Sequence, residues 1–328
     1  MELIFLGFKV QKNKKKRVYK AADSRANHST AYNETAEVSE EISSEMSSEV
    51  SSDSVSEVSS SDNFPITKTP AKKKKGTKLS NVLTSILIVI ALGVFVFSLL
   101  QILTIMGEYK AGRDEYDRIA QGAVKTSTTG YLIIDYDNLL GINSDFKGWI
   151  DIPGTDISYP IVYSAQDNDF YLRTTFERKA NASGSIFIDF RCDPTFVDPV
   201  TVIYGHHMRD GSMFNNIKLY LEKSFWQENQ EVHIYTKNGI MIYDIFAAYT
   251  PHIEDECFAF EAANTEPTIF NSWINNVKSK SFYNTGITPT IDDRVILLST
   301  CVSGGAGTED YRHVVAAVLR ETISNPTI

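Results

Sequence analysis

The chain is poor in cysteine and in positive charge. Its 328 residues contain three cysteines, and 32 Lys and Arg stand against 41 Asp and Glu, a formal net charge of -9. An odd number of cysteines without a CxxC pair excludes a disulfide framework and gives no zinc-type spacing, so at least one thiol is free. The acidic balance argues against a dedicated nucleic-acid-binding protein.

Charge is missing altogether between Lys78 and Glu108, where residues 82–106 read VLTSILIVIALGVFVFSLLQILTIM. A helix needs about 20 apolar residues to cross roughly 30 Å of hydrocarbon. A signal peptide would have a shorter apolar core near the N-terminus, and a buried core helix would show a polar face. The sequence therefore predicts a transmembrane helix over residues 81–106.

The flanks of this span predict its orientation and the character of the tail. Lys72 to Lys75 and Lys78 precede it, and cationic loops stay on the cytoplasmic side. Residues 1–80 are then a cytoplasmic tail, and the chain from about residue 107 onward lies outside the cell. The tail repeats E-x-S-S between Ser39 and Ser61, a composition that cannot bury enough apolar surface to fold, so we expect it to be disordered.

After the span, residues 107–130 have helical composition and are expected to form a stalk or N-terminal helix. Residues 131–328 have the sequence pattern of a compact domain, with short β-rich runs separated by turn residues. The candidate strands are WIDI (149–152), SIFID (185–189), VTVIYG (200–205), EVHIYT (231–236), MIYDIFAAYT (241–250), RVILLS (294–299) and HVVAAVL (313–319).

Two further signals refine the fold class. Asn238-Gly239 between two of these runs predicts a hairpin. Apolar residues at helical spacing within Glu266–Asn284 predict one helix before the last two strands. We therefore expect a mainly β domain with a barrel-like or sandwich-like core, an N-terminal helix and this extra helix.

Chemistry-bearing side chains stand at the ends of three of these runs. Cys301 ends RVILLSTC, His206 and His207 follow VTVIYG, and Arg312 opens the last run. A cysteine is a useful nucleophile only as thiolate, which requires a nearby base or cation. Taken singly, a His-His pair in a loop or a cysteine after a strand has an ordinary structural explanation. Their joint placement at strand ends favours a cysteine-based active site.

At these residues the chain resembles the sortases, membrane-anchored cysteine transpeptidases of Gram-positive bacteria. LSTC (298–301), YGHHMRDGSMF (204–214) and the arginine 11 residues after Cys301 carry the resemblance. DFKGWIDIPGTDISYPIV (145–162), DNDFYL (167–172), GSIFIDFR (184–191) and the helix of residues 266–284 resemble class B in particular. Leu297 departs from the usual TLxTC signature, which has threonine at that position.

The resemblance implies roles for individual residues. Cys301 would be the nucleophile, His206 the acid and base, and Arg312 the cationic partner. Ser299, Thr300 and Leu298 would bind substrate. Arg294 and Arg320 are rivals for the arginine role, and His207 for the histidine role. Cys192 and Cys257 are expected to be incidental thiols, with a bridge between them left open.

The implied reaction is a two-step transfer of a secreted protein. Its C-terminal sorting signal, expected to resemble NPxT(N/G), would be cleaved after Thr through a thioester. An amine of peptidoglycan or its precursor would then take the protein. No cofactor, metal or nucleic acid is implied, and the enzyme would sit in the cell membrane with its catalytic domain outside. A hydrolytic cysteine endopeptidase and a non-catalytic membrane-tethered binding module are the alternatives.

Overall fold

The computed structural model describes residues 78–302 and 310–326. The tail expected over residues 1–80 therefore lies almost wholly outside the described residues.

The first element, helix α1, spans Lys78–Ala123 without a break. Its apolar half, from Val82 to Met106, exposes its large hydrophobic side chains all round. The helix is long and apolar enough to cross a membrane by length and composition. A helix that shows apolar side chains on every face is the form expected of a segment surrounded by lipid.

The C-terminal half of α1 packs on the domain that follows. Tyr116, Ile119 and Ala123 are buried there, and the hydroxyl of Tyr116 donates to the carbonyl oxygen of Gly184. Arg113 forms an ion pair of 2.7 Å with Asp210. Much of the segment expected to be a stalk is thus built into the domain.

The centre of the domain is a closed barrel of eight strands. The strands are β1 Val124–Thr126, β2 Leu132–Ile134, β3 Phe146–Asp151, β4 Ser158–Tyr163, β5 Ile186–Ile188, β6 Val200–Tyr204, β7 Glu231–Thr236, β8 Gly239–Tyr249, β9 Val295–Cys301 and β10 Arg312–Ile323. The order around the barrel is β10-β8-β7-β3-β4-β5-β6-β9, and the short strands β1 and β2 pair with each other outside it. Closure removes exposed strand edges, which explains how so many apolar strands coexist in one domain.

Helices decorate this barrel. The α-helices after α1 are α2 Tyr136–Ile142, α3 Lys223–Glu228, α4 Phe260–Ala263 and α5 Pro267–Lys280, and 3-10 turns cover Phe170–Leu172, Asn215–Leu221 and Glu256–Phe258. Helix α5 begins with proline, which needs no intrahelical N–H donor at that position. It buries Phe270, Trp273, Ile274 and Val277, the apolar face that the helical spacing predicts.

The seven predicted strand runs correspond to β3 and β5 to β10, and the mainly β barrel is confirmed. The predicted hairpin is present, but its two-residue turn is Lys237-Asn238, because Gly239 is already the first residue of β8 and pairs with Thr236. Strand β4 was not among the predictions. Its central Pro160 makes it look like a loop, yet β4 pairs with β5 only from Ile161 onward, so proline lies beyond the end of that neighbour.

Three strands bring the chemistry-bearing residues to one edge of the barrel. Strands β6 and β9 are parallel, so their C-terminal ends lie side by side. Strand β10 is antiparallel to β9, so its first residue, Arg312, faces the last residue of β9, Cys301. The loop after β6, which carries both histidines, begins at the same edge.

The packing of α1 against the domain can be tested at two glycines of the helix. A Cβ at Gly112 would lie 2.5 Å from the Ser183 hydroxyl and 2.9 Å from the Asn181 side chain, whereas a Cβ at Gly122 meets nothing within 4 Å. We expect Gly112→Ala to destabilise the detergent-solubilised protein by about 1–3 kcal/mol through this clash. Gly122→Ala should be neutral or stabilising by up to about 1 kcal/mol, because alanine favours helix. Equal thermal midpoints for the two variants would contradict the close packing.

Candidate active site

Cys301 is the exposed last residue of β9. It faces Arg312 in the β9–β10 register. Facing side chains in an antiparallel pair have Cβ atoms about 4.5–5.5 Å apart. The fold therefore holds a thiol and a guanidinium on neighbouring strands, on one face of the sheet.

A pocket of about 190 Å³ opens at this edge of the barrel and brings together Cys301, His206 and Arg312. It is lined by Asn168, Leu172, Phe187, Tyr204, Gly205, His206, Ser299, Thr300, Cys301 and Arg312. The three side chains come from the ends of three strands that pair side by side, β6 with β9 and β9 with β10, and this pairing makes them neighbours.

Gly205 explains how the loop of the histidines leaves β6. A Cβ at this position would lie 2.4 Å from Ile186 and 2.7 Å from the ring of Phe214. Its N–H still donates to the Ser299 carbonyl oxygen at 3.2 Å, as a continuation of the strand ladder. Glycine thus lets the chain turn close against its neighbours, directly before His206.

The ring of His206 is fixed by one hydrogen bond. Its Nε2 lies 2.6 Å from the carbonyl oxygen of Leu172, which can only accept, so Nε2 carries the hydrogen. Burial lowers the pKa of His206, the nearby charge of Arg173 lowers it further, and the Leu172 carbonyl partly opposes both. The neutral imidazole, with a lone pair on Nδ1, is therefore favoured near neutral pH.

Both the backbone and the side chain of Arg312 donate hydrogen bonds. Its backbone N–H donates to the Pro251 carbonyl oxygen at 2.9 Å, and its Nη1 donates to the Tyr311 carbonyl oxygen at 2.8 Å. The rival arginines lie elsewhere. Arg294 is exposed, and Arg320 forms ion pairs with Glu231 and Asp244 at 2.7 Å each.

The three residues expected to bind substrate divide into two groups. Ser299 and Thr300 line the pocket, and within the described part of the chain neither hydroxyl has a hydrogen-bond partner although both are buried. Leu298 is fully buried in the hydrophobic core and does not line the pocket. Buried hydroxyls usually have a hydrogen-bond partner, so this pair beside an exposed thiol is unusual.

The other two cysteines are not bridged. Cys192 and Cys257 are buried free thiols, and burial raises the pKa of each to about 12. A buried thiol with a raised pKa is a poor nucleophile. Cys301 is the exposed thiol of the three, in agreement with the expectation that the other two are incidental.

Sequence reasoning did not single out a buried acid beside the pocket. Asp189 accepts from the Tyr204 hydroxyl at 3.1 Å and from Arg191 through two hydrogen bonds of 2.9 and 2.8 Å. Burial alone would raise the pKa of Asp189, but the hydrogen bonds and charge of Arg191 hold it below its usual value. This bridge supports Tyr204 in the pocket wall. Asp189 belongs to the stretch GSIFIDFR (184–191), but the sequence does not distinguish it from the other acidic residues of the domain.

Comparisons with known proteins identify the family. Residues 150–320 match the sortase domain family. Curated relatives include sortase B of Listeria monocytogenes, 34% identical over 230 residues that cover 68% of this chain and 92% of the relative. Sortase B of Staphylococcus aureus is 28% identical over 240 residues, which cover 73% of this chain and 96% of the relative.

Solved structures show the same relationship. A Staphylococcus aureus sortase B-substrate complex matches with a TM-score of 0.56 at 29% identity, covering 66% of this chain and 99% of that one. Sortase B from Bacillus anthracis in complex with the compound AAEK1 matches with a TM-score of 0.54, also at 29% identity, covering 65% and 98%.

A closed barrel with a thiol, an imidazole and a guanidinium at one edge fits a cysteine transpeptidase, and this chain belongs to the sortase family. Within that family it is a class B sortase, an enzyme that cleaves the sorting signal of a secreted protein and transfers the protein to a cell-wall amine.

His207 lies close to a further histidine, His313. The rings of His207 and His313 are 6.0 Å apart, and His313 Nδ1 lies 3.2 Å from the Thr250 hydroxyl. Burial lowers the pKa of His313 to about 4, with smaller contributions from His207 and Lys218.

This lowered pKa predicts the pH dependence of stability. An unfolded histidine titrates near 6.5, so between about pH 6.5 and 4 the unfolded chain binds a proton that folded His313 does not. Above about pH 6.5 His313 is neutral in both states and does not change the free energy of unfolding. As the pH drops from 6.5 toward 4, this free energy decreases. We expect the thermal midpoint of His313→Gln to fall less steeply over this window. An unchanged slope would show that other groups control acid unfolding.

Proposed function

We propose that Cys301, His206 and Arg312 carry out the transfer reaction of this class B sortase. The observation that supports this most directly is the single pocket that all three side chains line. Cys301 is the exposed thiol, His206 is the half-buried imidazole, and Arg312 faces Cys301 across two paired strands.

In the first step, the sulfur of Cys301 attacks the carbonyl carbon of the Thr in the sorting signal. His206 takes the thiol proton and then gives it to the nitrogen of the leaving peptide, so the C–N bond breaks as the thioester remains. The lowered pKa of His206 suits both roles, because the resting imidazole is neutral and can accept a proton.

In the second step, the acceptor amine attacks the thioester carbonyl and the C–S bond breaks. The proton that the amine loses passes through His206 back to the sulfur of Cys301. The enzyme is regenerated and the protein is joined to the acceptor by a new amide bond. Transfer rather than hydrolysis requires the amine to reach the thioester faster than water does.

Arg312 stabilises charge and position in both steps. Its guanidinium presents several donors in a fixed plane, which suits an oxyanion or a carbonyl oxygen of the sorting signal. Lysine would keep the charge but lose this geometry. Ser299 and Thr300 contact the bound signal from the pocket wall, where their unpartnered hydroxyls can accept or donate. Leu298 supports them from the core.

The finer identity of both substrates is also a proposal. The sorting signal resembles NPxTN or a variant that ends in Gly, and the acceptor is an amine of peptidoglycan or its precursor. Support comes from the curated sortase B relatives and from the class B motifs around the site.

The domain organisation is proposed on the same footing. Residues 1–80 would lie on the cytoplasmic side, residues 81–106 would form the transmembrane helix, residues 107–130 a stalk or N-terminal helix, and residues 131–328 the extracellular catalytic domain. Support comes from the lysines before the span and from the continuous apolar helix. Protection of the catalytic domain from protease added outside intact cells would contradict this orientation.

The residue roles predict a graded series of variants. Cys301→Ala should abolish signal cleavage. His206→Ala should lower kcat/KM by about 10²–10⁴, the usual range for a general acid and base. Arg312→Ala should lower it by about 10²–10³, as expected for one lost oxyanion donor, and Arg312→Lys should recover only part of this loss.

Arg294→Ala is the matched control, since this exposed arginine lies outside the pocket and should leave kcat/KM unchanged. The measurement is peptide cleavage with protein concentrations corrected for reactive thiol. Full activity in Arg312→Ala, or a loss of the same size in Arg294→Ala, would contradict the assignment of Arg312.

A further inference from the structure

The neighbouring histidines after β6 point to different partners. His206 lines the pocket, whereas Nδ1 of His207 lies 3.1 Å from the backbone carbonyl oxygen of Cys301. A carbonyl oxygen can only accept, so Nδ1 of His207 carries the hydrogen and donates it. The second histidine therefore bonds to the backbone of the same residue whose side chain is the nucleophile.

The β-ladder explains why this carbonyl needs a partner. In the parallel β6–β9 pair, Tyr204 aligns with Ser299, and the N–H of Gly205 donates to the Ser299 carbonyl oxygen. Backbone carbonyls of a strand alternate between its two neighbours, so the next acceptor on the β6 side belongs to Cys301. Val302 fits this alternation, because its N–H donates to Tyr311 on the β10 side.

The backbone after β6 leaves the β6–β9 ladder before it can donate an N–H to the Cys301 carbonyl oxygen. Strand β6 ends at Tyr204, and the backbone after Gly205 turns away so that Phe214 N–H donates to the carbonyl oxygen of His206 at 2.9 Å. The imidazole of His207 takes the place of the missing backbone donor. A side chain thus extends the parallel ladder to the final residue of β9.

The ring of His207 is itself supported. Its backbone forms a bridge with Met213, and its ring packs 6.0 Å from that of His313, which contacts Thr250. Burial and the charge of Lys218 lower the pKa of His207, the hydrogen bond to Cys301 partly opposes them, and the neutral ring is favoured. This support gives the hydrogen bond a fixed direction.

We propose that His207 is a positioning residue for the transfer reaction, in which its Nδ1–H completes the β6–β9 ladder at the Cys301 carbonyl and fixes the backbone of the nucleophile. The proposal rests on the assignment of Cys301 as the nucleophile. Cys301 is the last residue of its strand, so this bond sets the peptide plane from which the thiol projects into the pocket.

The test compares two amides that differ by one methylene group. Asparagine places its side-chain N–H near the position of Nδ1, whereas glutamine places it near the position of Nε2. His207→Asn can therefore restore the bond to the Cys301 carbonyl, and His207→Gln cannot do so in the same geometry. His207→Leu removes the donor while keeping apolar bulk.

The experiment uses the full chain in detergent micelles, a quenched NPxTN peptide and triglycine as the amine. Active enzyme is counted by titration of the reactive thiol, since Cys192 and Cys257 are buried. We expect His207→Asn to keep kcat within about threefold of the original chain. His207→Gln and His207→Leu should lose about tenfold to a hundredfold, because small misplacements of a reacting group are costly. The loss should fall in kcat, with KM little changed.

A purely structural role would give a different pattern. The three variants would then follow their thermal midpoints, and kcat per active thiol would be the same in all of them. That result, or an asparagine variant as slow as the glutamine variant, would overturn the proposal. If instead Cys301→Ala still transferred the peptide, the assignment of the nucleophile would fail, and this outcome is read independently of the His207 series.

Discussion

The ladder that joins β6, β9 and β10 is the constraint on which the site depends. Parallel pairing of β6 with β9 aligns the histidine loop with Cys301, and antiparallel pairing of β9 with β10 sets Arg312 opposite the same cysteine. A slip of one residue in either pair would turn one of these side chains to the other face of the sheet. Because the barrel is closed, the register of these strands is constrained from both sides.

The long apolar helix is continuous with this framework. Helix α1 runs from the apolar segment into the domain, where Tyr116 is buried and Arg113 pairs with Asp210. Asp210 lies in the loop that follows the two histidines. An exposed ion pair contributes only about 0–1 kcal/mol, so its effect is on position more than on stability. The helix that would anchor the enzyme therefore also contacts the loop that carries its base.

Much of this could be predicted from sequence, for physical reasons. The strands that were predicted are short runs rich in β-branched and aromatic residues and bounded by turn residues, such as EVHIYT (231–236), so local pattern identifies them. Strand β4 escaped prediction because Pro160 is compatible with a strand only through its position relative to β5. The division of work between His206 and His207 depends on where the loop turns after Gly205, and the support of Tyr204 by Asp189 depends on a contact between strands. Neither can be read from spacing along the chain.

The most direct test of the account is a mass-spectrometric assay of the outer domain, from about residue 108 onward, with quenched peptides that carry NPxTN, NPxTG, SPxTG, PPxTG and LPxTG. Each peptide is incubated with and without an added amine. The account predicts cleavage after Thr of an NPxT(N/G)-type peptide, an acyl group on Cys301, an amine-linked product, and loss of all three in Cys301→Ala. A free carboxylate product that added amine cannot divert would indicate a hydrolase. An unmodified Cys301 alongside cleaved peptide would contradict the central claim.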